Sequence, residues 1–361
     1  MNFVTATAEF ERWLGEQTPL DDDDLAYKHV CMADRDTVFP FLRATFYRWL
    51  QLWLEMCPDL ARAPVVLAVG DLHIENFGTW RDAEGRLSWG VNDFDEACRM
   101  EYTIDLVRLA ASGVLAAKTG FFKLRASEIC DAVLDGYRRS LEIGGRPIVL
   151  AERNRMLREL AIVRLRDPKR FWPKLTLVEE SQEPIPDEAR GALMTSLPAS
   201  CSATQLYRRR RVGLGSLGKG RFVVIAEWNG GRIARECKAL TPSAAAWARP
   251  EADRPTLTQV VNSVVRCPDP FLHTCGSWIV RRLSPDCARI DLATLVDADD
   301  KVRLFRAMGW ETANVHQADA NASAAIVADL DQRPRNWLRD SVDAMLDVTR
   351  RDWKEWRGHV S

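Results

Sequence analysis

The fold of this chain is indicated most strongly by the stretch Gly70-Asp71-Leu72-His73-Ile74-Glu75-Asn76. It follows a short apolar run, residues 65–69, whose length and β-branched side chains predict a buried strand. A second predicted strand, residues 87–91, ends directly before Asn92-Asp93-Phe94-Asp95. We therefore expect the acidic groups of the two stretches to lie at adjacent strand ends.

The spacing within these stretches is typical of phosphoryl-transfer sites of the kinase type, in which a catalytic loop precedes a metal-binding loop. Asp71 would act as the general base for an attacking hydroxyl, a contribution of ~10²–10⁴ in rate. Asn76 and Asp93 would supply the hard oxygen ligands that Mg²⁺ prefers. The alternative is that Asp71 and Asn76 only satisfy backbone groups in a tight turn.

A glycine-rich stretch, Gly213-Leu214-Gly215-Ser216-Leu217-Gly218, occurs far downstream of the acidic loops. A dinucleotide-binding glycine motif opens a helix, whereas this one leads into the strand-like residues 222–225. The pattern favours a β-hairpin lid whose backbone amides approach nucleotide phosphates, although a plain hairpin loop would show the same glycines. The candidate phosphate-binding residues are Gly213, Gly215, Ser216 and Gly218.

Lys238 lies on the third strand of a predicted small antiparallel sheet. In a kinase-type site this is the position of the lysine that contacts the α and β phosphates. A solvated lysine on an edge strand is the alternative, but the neighbours Cys237, Ala239 and Leu240 favour a cleft. The predicted strands of this sheet are residues 207–212, 222–228 and 232–240.

Length and composition limit the classes of protein to which this chain can belong. A chain of 361 residues is long enough for two lobes. Its 50 basic and 51 acidic residues leave a net charge of −1, so no global field steers the protein toward nucleic acid or an anionic membrane. The apolar runs are too short to span a bilayer. The N-terminus lacks a secretory signal pattern, and the scattered cysteines predict reduced thiols in a cytoplasmic protein.

The rest of the chain reads mainly as helices around these motifs. Residues 80–85 resemble a turn, and 179–187 have the composition of a linker, which places a lobe boundary between about 180 and 203. The sequence predicts helices in residues 1–62, in a core segment at 104–117, in 127–165 and from about 290 onward.

Weaker signals surround the main motifs. His73 is either a metal ligand or a side chain that packs within its loop. Asp95 either adds a carboxylate to the metal site or caps the next segment. Asp105 either caps its helix or accepts backbone amides from the catalytic loop. The basic run 208–211 could form a rim that attracts phosphate, although such a run is more often a solvated face.

Several stretches resemble the bacterial family called domain of unknown function 2252, and the likeness covers most of the chain. The acidic motifs are also similar to those of aminoglycoside phosphotransferases and choline kinases, which share the protein-kinase-like fold. The resemblance implies ATP- and Mg²⁺-dependent phosphotransfer. The stretches that carry it are residues 39–45, 70–78, 92–96, 105–112 and 212–218.

By this resemblance Asp71 matches the catalytic aspartate, Asn76 and Asp93 match the metal ligands, and Lys238 matches the nucleotide lysine. Asp105 matches the aspartate that steadies the catalytic loop. In those kinases the glycine-rich sheet precedes the catalytic loop, whereas here it follows.

The resemblance therefore implies an α+β, protein-kinase-like, two-lobed fold in circularly permuted order. The helix at 301–316 resembles the one that ordinarily leads into the catalytic loop. The expected divisions are a helical catalytic and substrate lobe at 1–190 and 290–361, a β-rich nucleotide-binding lobe at 200–285, and a hinge near 279–284.

One departure concerns the small-lobe helix, where the family pattern has a glutamate that could pair with the lysine. Asn262 stands at this position, so that Glu236, Glu251 or another acid would have to substitute. This departure leaves open a nucleotide-binding pseudokinase that regulates a partner. Nucleotidyl transfer and a metal-dependent phosphoesterase built on Asp71 and His73 are further alternatives, and the small-molecule acceptor and the oligomeric state stay undetermined.

Overall fold

The computed structural model describes the chain apart from residues 121, 151–153, 165–166, 177–184, 202–204, 210–212, 288–294, 296, 320 and 361. Helices and small antiparallel sheets together form the described part, which confirms the predicted α+β class. No helix in this part of the chain is long and apolar enough to cross a membrane. The nine cysteines are free thiols.

The helices lie mainly before residue 200 and after residue 297. In the described ranges they are α1 (Phe3–Gln17), α2 (Asp22–Met32), α3 (Phe39–Ala44), α4 (Phe46–Met56), α5 (Tyr102–Lys118), α6 (Ala126–Glu142), α7 (Arg155–Arg164), α8 (Pro168–Thr176), α9 (Asp187–Thr195), α10 (Ala244–Ala248), α11 (Leu257–Ser263), α12 (Ala298–His316), α13 (Ala322–Gln332) and α14 (Trp337–Val360).

The strands form three separate antiparallel sheets within the same ranges. The first pairs β1 (Val65–Ala68) with β4 (Cys98–Glu101). The second has the order β2 (Phe77–Arg81), β3 (Leu87–Val91), β5 (Ile148–Val149). The third has the order β6, β7, β8, β10, β9, with bounds β6 (Gln205–Arg209), β7 (Arg221–Trp228), β8 (Gly231–Ala239), β9 (His273–Cys275) and β10 (Trp278–Leu283).

The expectation that the acidic loops follow adjacent strands is wrong. The loop of Asp71 follows β1 and that of Asp93 follows β3, and these two strands belong to different sheets. Strands β2 and β4, which the sequence analysis missed, are the actual partners of β3 and β1. Residues Trp80 and Arg81, assigned above to a turn, are the end of β2. The two loops meet through β2 instead. The loop of Asp71 runs from Asn76 into β2, whose first residue Phe77 pairs with Val91 at the end of β3, and the N–H of Asn92 donates to the carbonyl of Asn76 at 2.9 Å.

The main hydrophobic core surrounds α5, which is buried along nearly its whole length. This agrees with its almost continuous apolar sequence, since a helix that is hydrophobic all round must be covered on every face. Helices α6, α12 and α14 pack against it. Two charged residues, Asp105 and Arg108, are fully buried in this helix, so that both need partners inside the protein.

A second, smaller core covers one face of the five-stranded sheet. Helix α9 contributes Ala189 and Leu193, which pack against Val224 and Cys237 of the sheet. This helix lies in the stretch where composition predicted a boundary between lobes. Of the predicted linker, residues 179–184 lie outside the described residues. The opposite face of the sheet turns toward the loops that follow β1 and β3, because Lys238 pairs with the acidic groups there.

Candidate functional site

The loop that begins at Gly70 is anchored from behind by Asp105. The backbone N–H groups of Val69 and Gly70 donate to its two carboxylate oxygens at 2.6 and 2.9 Å. Gly70 has φ = +89°, and a Cβ there would lie 2.3 Å from the carbonyl oxygen of Glu96. Only glycine fits this backbone and this space. Of the two alternatives for Asp105, the structure shows the contact with loop amides.

Asp105 itself is held by a buried polar chain. His316, the last residue of α12, places Nε2 3.0 Å from Asp105 Oδ2. The other ring nitrogen lies 2.7 Å from the hydroxyl of Tyr137 on α6. All three side chains are essentially inaccessible to solvent. Each of these buried polar groups has a hydrogen-bond partner, which a buried network needs in order to be stable. The network therefore holds Asp105 in place, and Asp105 holds the start of the loop.

Asp71 forms an ion pair with Arg108. The Nε atom of Arg108 donates to Asp71 Oδ1 at 2.7 Å, and Nη2 also contacts this oxygen. The guanidinium lies over the rings of Phe46 and Trp49, with its carbon 4.9 and 5.0 Å from their centres. Nη2 also donates to the carbonyl of Leu42 at 2.8 Å. One carboxylate oxygen of Asp71 is thus oriented by a rigid cation.

Burial raises the pKa of Asp71, and the positive charges of Arg108 and Arg43 oppose this effect. The neighbouring carboxylate of Asp93 raises the pKa further. The two carboxylates line the same cavity, and the backbones of their loops are joined by the hydrogen bond from the N–H of Asn92 to the carbonyl of Asn76. A carboxylate whose pKa is raised has greater proton affinity, which is what a general base requires.

Asn76 and His73 partly organise their own loop. The N–H of His73 donates to Asn76 Oδ1 at 2.7 Å, which is the backbone-satisfying contact weighed as an alternative above. His73 places Nδ1 3.1 Å from the backbone nitrogen of Glu75 and Nε2 3.3 Å from Nε of Arg43. Asn76 still faces the cavity described below, and a carbonyl oxygen can accept more than one contact.

Lys238 points from β8 toward the loop of Asp93. Its Nζ forms an ion pair with Asp95 and lies 3.8 Å from Asp93 Oδ1. The side chain is buried, and desolvation lowers its pKa, whereas Asp93 raises it. Asp95 therefore neutralises the lysine in this structure. A phosphate that entered the site would compete with Asp95 for the ammonium group.

The glycine turn joins β6 and β7, which pair in an antiparallel hairpin. Gly213 has φ = +82° and leads into a single helical turn at Leu214–Ser216. The hydroxyl of Ser216 donates to the Gly213 carbonyl at 3.0 Å and accepts from Nη2 of Arg221 at 2.9 Å. Arg221 begins β7, so that the turn is tied to the sheet.

Gly215 brings this turn against the acidic loop. A Cβ on Gly215 would lie 3.0 Å from the carbonyl oxygen of Arg43 and 3.4 Å from Asp71 Oδ2. Gly218 does not face the site, since its carbonyl accepts from the N–H of Asp21 and it packs against Leu25 of α2. The glycine motif thus divides between a cavity-facing half and a half that contacts the first helices.

A narrow cavity of about 50 Å³ lies where these segments meet. Most of the site residues predicted from sequence line it. They are Asp71, His73, Asn76, Asp93, Asp95, Lys238 and, from the glycine turn, Gly213, Gly215 and Ser216. The site residues predicted from sequence therefore come together, except for Gly218 and for Asp105, which acts from behind the loop.

A wider cavity of about 450 Å³ adjoins it. The two share Arg43, His73, Asn76, Asp93 and Gly213. Among the residues that line only the wider cavity are several of the predicted hinge, residues 281–284. In the structure this segment is the end of strand β10, paired with β8, and the loop that follows it. Of the candidate rim at 208–211, Arg209 forms ion pairs with Asp21 and Asp24 and lines neither cavity, and residues 210–211 lie outside the described residues.

Sequence reasoning missed three basic residues of the site. Arg43 and Lys219 line the narrow cavity, and Arg108 pairs with Asp71. Arg108 is an isolated basic residue in an apolar helix, three residues after Asp105. Since a buried charge must find a partner, that isolation was a usable signal. Lys219 directly follows the glycine motif, but nothing in its sequence context distinguishes it from a solvated lysine.

The acid expected to pair with the lysine does not come from the small-lobe helix. Asn262 and Glu251 are exposed. Glu236, two residues before Lys238 on the same face of β8, is fully buried and forms ion pairs with Arg281 and Arg221. The carboxylates that contact Lys238 are those of Asp95 and Asp93, from the loop after β3.

The donor set fits Mg²⁺ bound jointly with a phosphate ligand. Asn76 and Asp93 both line the narrow cavity and supply oxygen atoms. Among the described residues there is no group of three or more His, Cys, Asp and Glu side chains arranged to hold a metal ion. Mg²⁺ needs only one or two protein ligands when water and substrate phosphates complete its shell.

Comparison with protein families assigns the chain. The family described as an uncharacterized protein conserved in bacteria (DUF2252) matches residues 22–167 and 176–359. The chain belongs to the DUF2252 family. The family predicted from sequence is thereby confirmed, and the matched ranges include every segment that lines the narrow cavity of this DUF2252 protein. No curated protein and no solved structure matches the chain.

Proposed function

We propose that this protein is an ATP- and Mg²⁺-dependent phosphotransferase that acts on a hydroxyl group of a small molecule. The proposal includes a protein-kinase-like arrangement in permuted order, with the helical lobe at 1–190 and 290–361 and the nucleotide lobe at 200–285. It is supported by the five-stranded sheet, which carries the glycine turn and Lys238 and faces the loops after β1 and β3.

The observation that carries the proposal is the joint lining of the narrow cavity. Asp71 and Asn76 come from one loop, Asp93 from a second, and Lys238 and the glycine turn from a sheet more than a hundred residues further along the chain. If Asp71 and Asn76 only satisfied backbone groups in a tight turn, residues from the distant sheet would not need to line the same cavity. Phosphoryl transfer does need a base, metal ligands, a phosphate-binding lysine and a glycine turn in one cleft.

Asp71 supplies the proton acceptor in this arrangement. Its Oδ1 atom is held by Arg108, which leaves Oδ2 toward the glycine turn, 3.4 Å from where a Cβ of Gly215 would lie. An acceptor hydroxyl that donates to this oxygen would lose its proton to Asp71 as it attacks the γ-phosphorus atom of ATP, while the bond from that phosphorus to the β,γ-bridging oxygen breaks and releases ADP.

Lys238 and the loop of Asp93 would bind the nucleotide phosphates. In the reaction the lysine exchanges its contact with Asp95 for a phosphate oxygen. A bound Mg²⁺, held through Asn76 and Asp93, would neutralise charge on the phosphates. The backbone of the glycine turn would close the site from the other side, because Gly213 and Gly215, which line the cavity, have no side chains that would keep the phosphates away.

The first experiment is a calorimetric titration of the full chain with ATP, with and without Mg²⁺, beside Asp93→Ala and Lys238→Ala. We expect binding that needs Mg²⁺ and is weakened in both variants, because each removes a charged contact worth roughly tenfold in affinity. Lys123→Ala, which changes an exposed lysine outside the cavity, serves as the matched control. Binding that is equal in all four proteins, or absent from the folded wild type, refutes the proposal.

The second candidate is a nucleotide-binding regulatory protein without phosphotransfer activity. The specific observation in its favour is the ion pair of Asp71 with the buried Arg108, since a cation bound to the base opposes proton transfer to it. Incubation with γ-labelled ATP and Mg²⁺ separates the two. Slow transfer or hydrolysis that Asp71→Asn abolishes supports the enzyme, whereas Asp93-dependent binding with no turnover of the label supports the regulatory protein.

A further inference from the structure

The wider cavity is unusually rich in arginine. Its volume of about 450 Å³ falls in the range of small-molecule sites. Its lining includes five arginines, two of which share Glu236 as a buried partner and one of which pairs with Glu75. The remaining two, Arg266 and Arg282, make no ion pair with any carboxylate in the described part of the chain.

Arg266 is held by aromatic rings instead of an acid. Its guanidinium carbon lies 4.6 Å from the ring centre of Trp80 and 5.2 Å from that of Phe94. The one hydrogen bond found for it is long, from Nε to the carbonyl of Cys267 at 3.5 Å, and Nη1 is buried without a partner. Desolvation lowers the pKa of this arginine, and the carboxylates of Glu311 and Asp269, neither of which forms an ion pair with it, oppose this effect.

Arg282 is in a similar situation on the strand β10. Its guanidinium lies 4.4 Å from the ring centre of Phe271, and that of Arg235 lies 4.5 Å from the same ring. Nη2 donates to the carbonyl of Arg81 at 3.2 Å, whereas Nε is buried without a partner. Burial lowers the pKa of Arg235, and the like charge of Arg282 against the same ring lowers it further.

These charges are unfavourable unless an anion compensates them. A desolvated cation without a partner destabilises a fold, and the planar guanidinium is the side chain best suited to bind phosphate or carboxylate through two parallel hydrogen bonds. Stacking on Trp80, Phe94 and Phe271 fixes the plane of each guanidinium before a ligand arrives. An adenine pocket would instead be lined mainly by apolar side chains.

We propose that the wider cavity binds a small-molecule anion, with phosphate or carboxylate groups, through Arg266 and Arg282. Resting on the function proposed above, this names the chemical class of ligand beside the phosphoryl-transfer site. The anionic group belongs either to the nucleotide phosphates or to the acceptor. The chemistry of recognition is the same in both cases.

The test uses inorganic pyrophosphate as the probe, in calorimetric titrations of the full chain without Mg²⁺ or nucleotide. We expect binding to the wild type and a loss of roughly tenfold or more in affinity in Arg266→Gln and in Arg282→Gln, since each removes a charge-assisted contact. Arg62→Gln is the matched control, because Arg62 is exposed and outside the cavity. Absence of binding, or an equal affinity in all variants, overturns the proposal.

A second measurement does not depend on the variants folding. Phenylglyoxal modifies accessible arginines, and mass spectrometry maps the sites in wild-type protein with and without pyrophosphate. Protection of Arg266 and Arg282, with Arg62 modified equally in both samples, supports the site. Unchanged modification of Arg266 and Arg282 in the presence of the probe refutes it.

Addition of ATP separates the two sources of the anion. Displacement of pyrophosphate by ATP assigns the arginines to nucleotide phosphates, whereas simultaneous binding assigns them to the acceptor. Neither result depends on Asp93 in the absence of Mg²⁺, because the proposed role of Asp93 is to hold the metal ion. A protein that binds pyrophosphate through Arg266 and Arg282 but shows no Asp93-dependent binding of ATP keeps the anion site and loses the proposed kinase function.

Discussion

The two sides of the narrow cavity are stabilised in different ways. On the side of Asp71, the loop is fixed by Asp105, whose oxygens accept backbone amides and whose partner is the buried His316. On the side of the sheet, the ion pairs of Lys238 within the described ranges are those with the carboxylates of the facing loop. The first set of contacts is complete within the protein, while the second consists of charges that a ligand can exchange.

This difference separates residues that build the site from residues that would work in it. Asp105 has no exposure to solvent, so its removal affects folding first. Asp93 has a side chain that is 40% exposed, so its removal affects ligands first. Replacing an aspartate is therefore expected to lower stability at position 105 and ligand affinity at position 93, although the sequence analysis placed both residues in the same site.

Replacing Asp105 should produce the largest effect. Asp105→Ala leaves the N–H groups of Val69 and Gly70 and the ring of His316 without their buried partner. We expect a loss of about 3–5 kcal/mol in the free energy of unfolding, as for other buried charged networks from which one member is removed. Urea unfolding followed by circular dichroism measures it.

Asp59→Ala is the control for this measurement. Asp59 pairs with Arg62 at 2.9 Å, but both side chains are more than four-fifths exposed, so the change should stay below about 1 kcal/mol. Equal destabilisation by Asp105→Ala and Asp59→Ala would show that the buried chain does not anchor the loop.

The opposite behaviour is expected for Asp93→Asn. The variant keeps the size and hydrogen-bonding capacity of the side chain near Lys238, and it removes one of several neighbouring negative charges. We expect the free energy of unfolding to change by less than about 1 kcal/mol, while Mg²⁺-dependent affinity for ATP falls roughly tenfold or more. A variant that is strongly destabilised, with unchanged affinity for ATP, would reverse the assignment of the two sides.

Sequence spacing was sufficient to identify residues of both sides but not the contacts between them. Asp71, Asn76 and Asp93 were recognisable because their relative positions are local. Strand β4, with the sequence Cys98-Arg99-Met100-Glu101, was missed because it contains no β-branched or aromatic residue. Strand β2, the other strand that was missed, follows Asn76 directly, and its pairing with β3 brings the two acidic loops together.

The basic residues show a second limit. Arg266 and Arg282 are ordinary surface arginines by composition, and only the folded chain places them against Trp80 and Phe271 in one cavity. Arg108 differs, because its apolar helix already required a buried partner. The sequence therefore indicates that a charged side chain needs a buried partner when the apolar residues around it are close in sequence. It gives no such indication when the surrounding residues come from distant segments of the chain.

The pH dependence of stability tests the support of β3, the strand that leads to Asp93, through Glu311. This buried carboxyl accepts from the N–H of Val91, on the strand that leads to Asp93, at 3.3 Å and from Asn314 at 2.9 Å. Burial raises its pKa from 4.5 to about 7. Between these values the folded protein retains a proton that the unfolded chain has lost, so stability falls as the pH rises.

Glu311→Gln removes this dependence. At a pH of about 8 the variant should be more stable than the wild type by about 1–3 kcal/mol, because each pKa unit corresponds to about 1.4 kcal/mol. The difference should vanish as the pH falls toward the ordinary glutamate value of 4.5. Thermal unfolding across this range measures it, with the exposed Glu159→Gln as control. A variant that is less stable at every pH would contradict the raised pKa.

The smallest expected effect concerns the contact between the two sides. In Gly215→Ala the new methyl group would lie 3.0 Å from the Arg43 carbonyl and 3.4 Å from Asp71 Oδ2, so the turn must shift by a few tenths of an ångström. We expect a loss of about 1 kcal/mol in stability. Gly191→Ala in α9, where nothing lies within 4 Å of the new Cβ, should instead stabilise by up to about 1 kcal/mol. Equal effects at the two glycines would show that the glycine turn does not pack closely against Asp71. The two sides of the narrow cavity would then not be in direct contact at this position.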